Sequence, residues 1–285
     1  MKKILYSLLL IIPIFWISCE TIDDDEKLVF PKGQTSETTP ITVISSEQKV
    51  LLEDYTGWKC TNCPRAAAKA TELISKYGER LVVMAVHATA FASPSPTNNN
   101  LDLRTEYGEK WANNFNCTAL PAGMINRTKI ESSYAVNDAS WDNHIQNFLT
   151  NQIHIMNINL GVEYRQEDNM ILVSCENEFI ENYSSPTLIS ILVLESGMIG
   201  SQRNTDPIYG EVPTIPDFEF NHVLRKNGLV DYSLSLLPTN KGKKINKNYL
   251  IEVDSDIQDI SKCSVVVFVT NGETKEVVQV NSVHL

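Results

Sequence analysis

The sequence predicts an α/β domain followed by an all-β domain, in a chain of 285 residues, which is long enough for two. Three observations predict it. Residues 50–56 (Val-Leu-Leu-Glu-Asp-Tyr-Thr) are apolar and β-prone, an Ala-rich stretch of helical periodicity follows, and residues 81–87 form a second apolar run. That alternation is the pattern of a parallel strand–helix–strand unit. Between the first run and the helix a turn delivers Cys60 and Cys63 at a Cys-x-x-Cys spacing. Beyond residue 153 helical periodicity becomes scarce, and strand-like runs joined by short turns suggest an antiparallel β-sandwich of immunoglobulin-like type.

Residues 1–18 read as an export signal. Lys2 and Lys3 precede an apolar run over residues 4–17, too short for a membrane span and suited to a signal core. The run ends in Trp16-Ile-Ser-Cys19. A small residue directly before a cysteine resembles the bacterial lipoprotein cleavage box, although Trp16 stands where that box usually has Leu. The resemblance implies that Cys19 is the lipidated first residue of the mature chain, anchoring it to a membrane. An ordinary signal peptide that contains a cysteine is the plainer alternative. Residues 19–46 are polar, with Pro31, Gly33 and Pro40, and read as a flexible tether. Their acidic run at 20–26 is either a solvated tether or a tag of the kind that resembles surface-exposed lipoproteins.

Residues 47–151 form the predicted α/β domain. Residues 49–56 are a strand and 64–77 a helix, with Ala67, Ala70, Ile74 and Tyr77 at helical spacing and Gly78 as its stop. Residues 81–87 read as a central strand covered on both faces. Residues 91–103 are a loop, 106–115 a helix, 122–126 a short strand and 140–151 an amphipathic helix. Residues 152–285 form the predicted β-domain, with strands at 155–164, 170–179, 187–194, 249–253, 264–270 and 276–283. Asn271-Gly272 marks the last hairpin turn.

With 24 basic and 35 acidic side chains, the formal charge is −11. Loss of the signal removes two lysines and makes the chain more acidic still. This balance excludes nucleic acid as a partner and argues against simple adhesion to anionic lipid. There are six cysteines. If Cys19 carries lipid, Cys60 and Cys63 pair naturally and Cys117, Cys175 and Cys263 remain. Cys175 and Cys263 both lie in strand-like runs, so a bridge between them and two buried free thiols are both open.

The Cys60 segment is the part of the chain that points to chemistry. A helix starting just after Cys60 directs its unpaired N–H groups and positive dipole end at the thiol, and Lys59 adds a charge. Both favour a thiolate, which makes Cys60 the attacking nucleophile and Cys63 the resolving thiol. Pro64 suits a first helical turn.

Residues 50–127 resemble a thioredoxin-like domain. The resemblance rests on strand–Trp58-x-Cys60-x-x-Cys63–helix, on Asp54 six residues before Cys60, and on Leu120-Pro121-Ala122 before a strand. It implies that Asp54 is a buried acid moving protons for the second cysteine. It also implies that Pro121 is a cis-proline against the disulfide, shaping a substrate groove with Trp58 and Lys59. Three departures stand out: Lys59 separates Trp58 from Cys60, Thr61-Asn62 replaces Gly-Pro, and residues 89–105 are an insertion. Residues 45–285 resemble something narrower, the twenty-eight-kilodalton outer-membrane protein family of Bacteroidetes-type bacteria. That likeness rests on Gly57-Trp-Lys-Cys-Thr-Asn-Cys-Pro64, Leu120-Pro-Ala-Gly123, Phe220-Asn-His-Val-Leu-Arg225 and the terminal hairpin. It implies an outer-membrane lipoprotein facing the periplasm or the cell surface.

Two functions follow. One is thiol–disulfide exchange with protein or peptide thiols through Cys60 and Cys63. The other is a non-catalytic surface binding or structural lipoprotein using its β-domain, with Cys60–Cys63 as a staple. A disulfide between near neighbours closes a small loop, which weakens the staple. No cofactor is expected: zinc lacks a second Cys-x-x-Cys or paired histidines, and haem attachment would need His where Pro64 stands. Asp54 could instead face solvent. His87 reads as a structural histidine more readily than as a proton carrier, and His222 and Arg225 as packing and an ion pair.

Overall fold

The computed structural model describes residues 33–97, 101–235 and 239–285. The export signal, Cys19 and the tether up to residue 32 lie outside the described residues.

Strand β1 is Gln34–Thr35 and β2 is Val50–Thr56, buried along its whole length. Helix α1, Cys63–Tyr77, follows, with Pro64 in its first turn, where the missing N–H costs little. Gly78 ends it at φ 56°, its N–H bonding the carbonyl of Ile74, a left-handed stop that suits glycine. Strand β3, Leu81–His87, then lies parallel to β2 from Val50 opposite Leu81 to Thr56 opposite His87. Helix α2 is Glu106–Asn114, capped by Thr105, whose hydroxyl accepts from Gly108 N–H at 3.0 Å. Strand β4, Ala122–Ile125, runs antiparallel on the other side of β2, and α3 is Trp141–Asn151.

The remaining strands are β5 (Met156–Arg165), β6 (Met170–Phe179), β7 (Thr187–Glu195), β8 (Met198–Arg203), β9 (Thr214–Phe220), β10 (Val223–Ser235), β11 (Lys244–Glu252), β12 (Cys263–Asn271) and β13 (Val277–His284). They pair in three sheets. The order in the largest is β13-β12-β7-β10-β3-β2-β4, in the second β1-β11-β6-β5, and β8 pairs β9 alone. The described residues are thus mostly β-sheet, with the three α-helices all before residue 152.

The second sheet faces the β7–β12–β13 end of the first. Ile158, Leu160, Ile171 and Val173 interlock there with Ile191, Val193, Val265 and Val267. Two sheets thus share one apolar core, in keeping with the strand-like runs after residue 153. One of these sheets, however, continues into the strand–helix–strand unit. β10 meets β3 in parallel with Val223 opposite Ala85, and Ala85 N–H donates to His222 O at 2.8 Å. The change of texture near residue 151 is therefore not a break in the sheet. Interior faces on both sides of the junction are apolar, and extending one sheet leaves fewer unpaired edge groups than two would.

Around β2, β3 and β4 the sheet is covered on both faces. Val50, Leu52, Leu81 and Val83 pack on Ala66, Ala70 and Leu73 of α1 and on Trp141 and Ile145 of α3. Leu51, Val82, Met84 and Val86 pack on Trp111 of α2 and on Leu192, Leu194 and Phe268. Each Val, Leu, Ile or Met among them contributes about 1.5–3 kcal/mol when fully buried. Gly123 is required where α3 crosses: a Cβ there would lie 2.1 Å from Trp141 Nε1.

Candidate functional site

The Cys-x-x-Cys turn sits at the C-terminal end of β2. Cys60 N–H donates to Gly57 O at 2.9 Å and Cys63 N–H to Cys60 O at 3.3 Å. The two cysteines form a disulfide, with Cα atoms 5.4 Å apart. Helix α1 begins at Cys63, one residue before the start read from the sequence, with no acid in its first turn and no side-chain cap from Asn62. Its unpaired N–H groups therefore still point toward the disulfide.

Two segments close over this turn. The first is residues 89–97, which follow β3. Lys59 N–H donates to Phe91 O at 3.0 Å, and Trp58 Nε1 donates to Ser93 O at 2.7 Å. Gly57 is required here, because a Cβ would stand 2.6 Å from the Phe91 carbonyl carbon. Lys59 Nζ lies 5.3 Å from the Trp58 ring centre, a cation–π contact. Trp58 itself is buried with Leu103, Met198, Phe220 and Val223, so it is a wall of the site.

The second segment is the β8–β9 hairpin, which the sequence reading missed. Gln202 Nε2, fully enclosed, donates to Cys60 O at 2.8 Å, and Arg203 N–H donates to Trp58 O at 2.7 Å. Thr205 Oγ1 reaches Thr61 O at 3.5 Å. Beneath both covers Cys60 is 3% exposed and Cys63 2%. The β8 sequence Met-Ile-Gly-Ser-Gln-Arg has no clear alternation, so its pairing was not readable. Phe218 and Phe220 of β9 do alternate, and that was the available signal.

Asp54 lies on β2 between Ala85 and Gly123 and is 4% exposed, which sets aside the solvent-facing alternative. Burial, then the neighbouring Asp138 charge, pushes its carboxyl up to about 7. Its Oδ1 has no hydrogen-bond partner. Asp138 is itself held by Arg65, at 2.8 and 2.9 Å. Asp54, Cys63, His87, Gln202, Phe220 and His222 line one cavity of about 440 Å³. His87 is buried edge-on to Phe220, with ring centres 5.3 Å apart. Burial, then Arg225, lowers its imidazole to about 3, so it stays neutral and receives no proton at ordinary pH. Burial also lowers His222. Arg225 pairs with buried Glu195 at 3.2 Å across β10 and β7. The contact is electrostatic, since neither Arg225 Nε nor Glu195 Oε2 makes an aligned hydrogen bond.

Pro121 precedes β4 and follows a cis peptide bond. Cys117, Cys175 and Cys263 are buried free thiols. The Cys175–Cys263 bridge left open by the sequence is therefore corrected to two free thiols. Cys175 lies in β6 and Cys263 in β12, on different sheets. Asn177 Nδ2 donates to Cys175 Sγ at 3.2 Å, and Cys263 Sγ donates to Asp259 O at 3.5 Å. Burial pushes all three thiols up to about 12, which keeps them protonated. Among the described residues no three His, Cys, Asp or Glu side chains converge to hold a metal, and no helix is long and apolar enough to cross a membrane.

Comparison with known proteins adds the following. A family model described as outer membrane protein Omp28 matches residues 109–285. No curated protein matches. Among solved structures, HBP35 of Porphyromonas gingivalis is similar at a TM-score of 0.58 and 16% identity, over 85% of this chain and 76% of that one. A protein of Agrobacterium tumefaciens is similar at 0.50 and 12% identity, over 84% and 96%. These two likenesses are of fold. A domain of the outer membrane lipoprotein Omp28 from Porphyromonas gingivalis is 22% identical over 47% of this chain and 89% of that one, at a TM-score of 0.30.

Proposed function

Because this chain belongs to the Omp28 family of outer membrane proteins, we propose that it is an envelope thiol–disulfide exchange protein, anchored by lipid on Cys19 and acting on protein or peptide thiols. Its location is the outer membrane. The exchange reading takes residues 47–151 as a thioredoxin-like domain and residues 152–285 as a β-sandwich fused to its sheet. Parallel β2 and β3 around α1, antiparallel β4, and the Cys pair opening α1 support that assignment.

The observation that carries the proposal is the cavity under the disulfide. Cys63 shares it with a buried carboxyl whose Oδ1 is unpartnered and which titrates near neutrality. A carboxyl kept half-protonated at about pH 7 is suited to general acid–base work. A partner thiolate attacks Cys60 Sγ, and the partner–Cys60 bond forms as the Cys60–Cys63 bond breaks. Cys63 leaves as a thiolate facing the α1 N-terminus, and protonated Asp54 supplies its proton. A second partner thiolate then attacks the partner sulfur of the mixed disulfide and releases Cys60. The partner dithiol loses two electrons and becomes a disulfide, and the pair here becomes a dithiol. Run backward, Cys60 is the attacking thiolate and Cys63 the resolving one. In this reading Pro121, which follows a cis peptide bond before β4, shapes the groove for the partner.

The burial of both cysteines favours a second reading, a structural disulfide in a binding lipoprotein whose β-domain makes the contacts. In the exchange reading the β8–β9 hairpin moves before a partner reaches Cys60. Equilibrating the protein in glutathione buffers and trapping thiols separates the two. A working couple titrates within about −150 to −300 mV, whereas a structural disulfide resists reduction below about −300 mV. In cells, the exchange reading expects Cys60→Ser/Cys63→Ser to abolish the phenotype. The binding reading expects only deletion of the β-domain to do so.

A further inference from the structure

We propose that the pocket beside Cys60 docks an acidic peptide, so that the exchange partner is a protein whose reactive cysteine is flanked by Asp or Glu. This names the substrate class of the exchange reading and rests on it. The pocket, about 590 Å³, is walled by Trp58, Lys59, Thr61, Pro94, Arg203 and Pro213, and among the described residues no carboxylate lines it. Two cations thus meet at one opening in a protein of net charge −11.

Both cations are uncommitted. Among the described residues neither Lys59 nor Arg203 has an acidic partner, while Arg65 is paired with Asp138, Arg104 with Asp102 and Arg225 with Glu195. Both are also placed. Lys59 Nζ rests over the Trp58 ring and 3.4 Å from Ala90 O. The Arg203 main chain is fixed to Trp58 O at 2.7 Å, while its side chain is exposed. An acidic surface repels acidic partners elsewhere, so a two-cation pocket concentrates them at this point.

The pocket also says what form the partner takes. Neither Cys60 nor Cys63 lines it, although Lys59 and Thr61 flank Cys60 on both sides. A carboxylate bound there stands beside the sulfur rather than on it. It must therefore belong to a residue neighbouring the attacking thiol, which is the geometry of a peptide. A free low-molecular-weight thiol carries its carboxylate and sulfur in one small unit, and would gain less from this pocket.

The test uses the full chain and fluorescein-labelled nonapeptides with a central Ser flanked by Glu, Gln or Lys, so that binding is read without exchange. Fluorescence anisotropy at low salt is expected to show the Glu peptide bound at least tenfold more tightly than the Gln peptide, and the Lys peptide not at all. The preference fades at roughly 1 M salt, where the screening length is about 3 Å. Lys59→Gln with Arg203→Gln removes it, because the Arg203 bond to Trp58 is main-chain and survives; circular dichroism checks the fold. Equal binding of the Glu and Gln peptides, or a preference that persists in the double variant, overturns the inference. A second series with central Cys reads mixed disulfide at Cys60 by mass. Equal rates for the Glu and Gln peptides leave the exchange reading standing and overturn this one. Acid preference without any mixed disulfide supports the pocket and overturns the exchange reading.

Discussion

Glu53 and Asp54 are neighbours on β2, both buried, and they point to opposite faces of the sheet. Glu53 is met by Arg127, whose Nε and Nη2 each donate to a carboxylate oxygen at 2.9 Å. The guanidinium lies 4.3 Å from the Trp111 ring centre and 4.8 Å from that of Phe268. Among the described residues Asp54 makes no ion pair; it leaves Oδ1 without a partner and faces the cavity it shares with Cys63. Burial alone therefore does not mark a functional acid. A buried charge that is paired holds the core, and a buried acid left unpaired is held near the pH where it can move a proton.

The largest expected effect tests the paired side. Arg127→Met leaves Glu53 buried and alone, and chemical denaturation is expected to show a loss of about 3–5 kcal/mol. Glu53→Gln with Arg127→Met should recover much of that loss. A single variant as stable as the parent would break the contrast between the two acids.

The unpaired side predicts a pH signature. Asp54 has a folded value of about 7, above its unfolded one, so the folded state binds the extra proton. The stability this contributes is full below about pH 4 and is lost as pH rises to about 7, at about 1.4 kcal/mol per unit. His87 has a folded value of about 3, below its unfolded one, so its contribution is lost as pH falls from about 6.5 toward 3. Between about pH 4 and 6.5 the two slopes oppose each other, and the parent is expected to be nearly flat there. Asp54→Asn should uncover stability that rises with pH, and His87→Asn stability that falls with pH. Urea midpoints across pH 4–8 read this, and unchanged profiles in both variants would remove Asp54 from the proposed proton role.

The smallest expected effect is at the disulfide itself. In the chain-entropy account, the short loop closed by Cys60–Cys63 is worth about 2 kcal/mol. Cys60→Ser/Cys63→Ser should lower the unfolding free energy read from urea denaturation by no more than that while abolishing exchange. A much larger loss would mark the bond as a staple.

Much of this was legible in sequence, and the remainder for physical reasons was not. The strand–Cys-x-x-Cys–helix order, the second buried strand and the strand texture after residue 153 follow from local periodicity. Asp54 was placed by resemblance, but its burial depends on β4 and on the cavity, which no local pattern encodes. Glu53 and Arg127 are 74 positions apart, and Gln202 reaches Cys60 across 142. Such partners are chosen by sheet pairing: β4 beside β2 brings Arg127 to Glu53, and the β10–β3 junction, which also joins the two predicted domains, brings the β8–β9 hairpin to Cys60. Arg203 looked like any surface arginine until the hairpin set it beside Lys59.

The reduction potential of the Cys60–Cys63 couple, measured in parent and Asp54→Asn from pH 6 to 8, reads whether the buried Asp54 carboxyl serves a working disulfide. Reversible titration is expected within about −150 to −300 mV, with a pH dependence that changes near pH 7 in the parent and loses that change in the variant. A disulfide that stays closed below about −300 mV, or identical pH dependence in both proteins, would contradict that role.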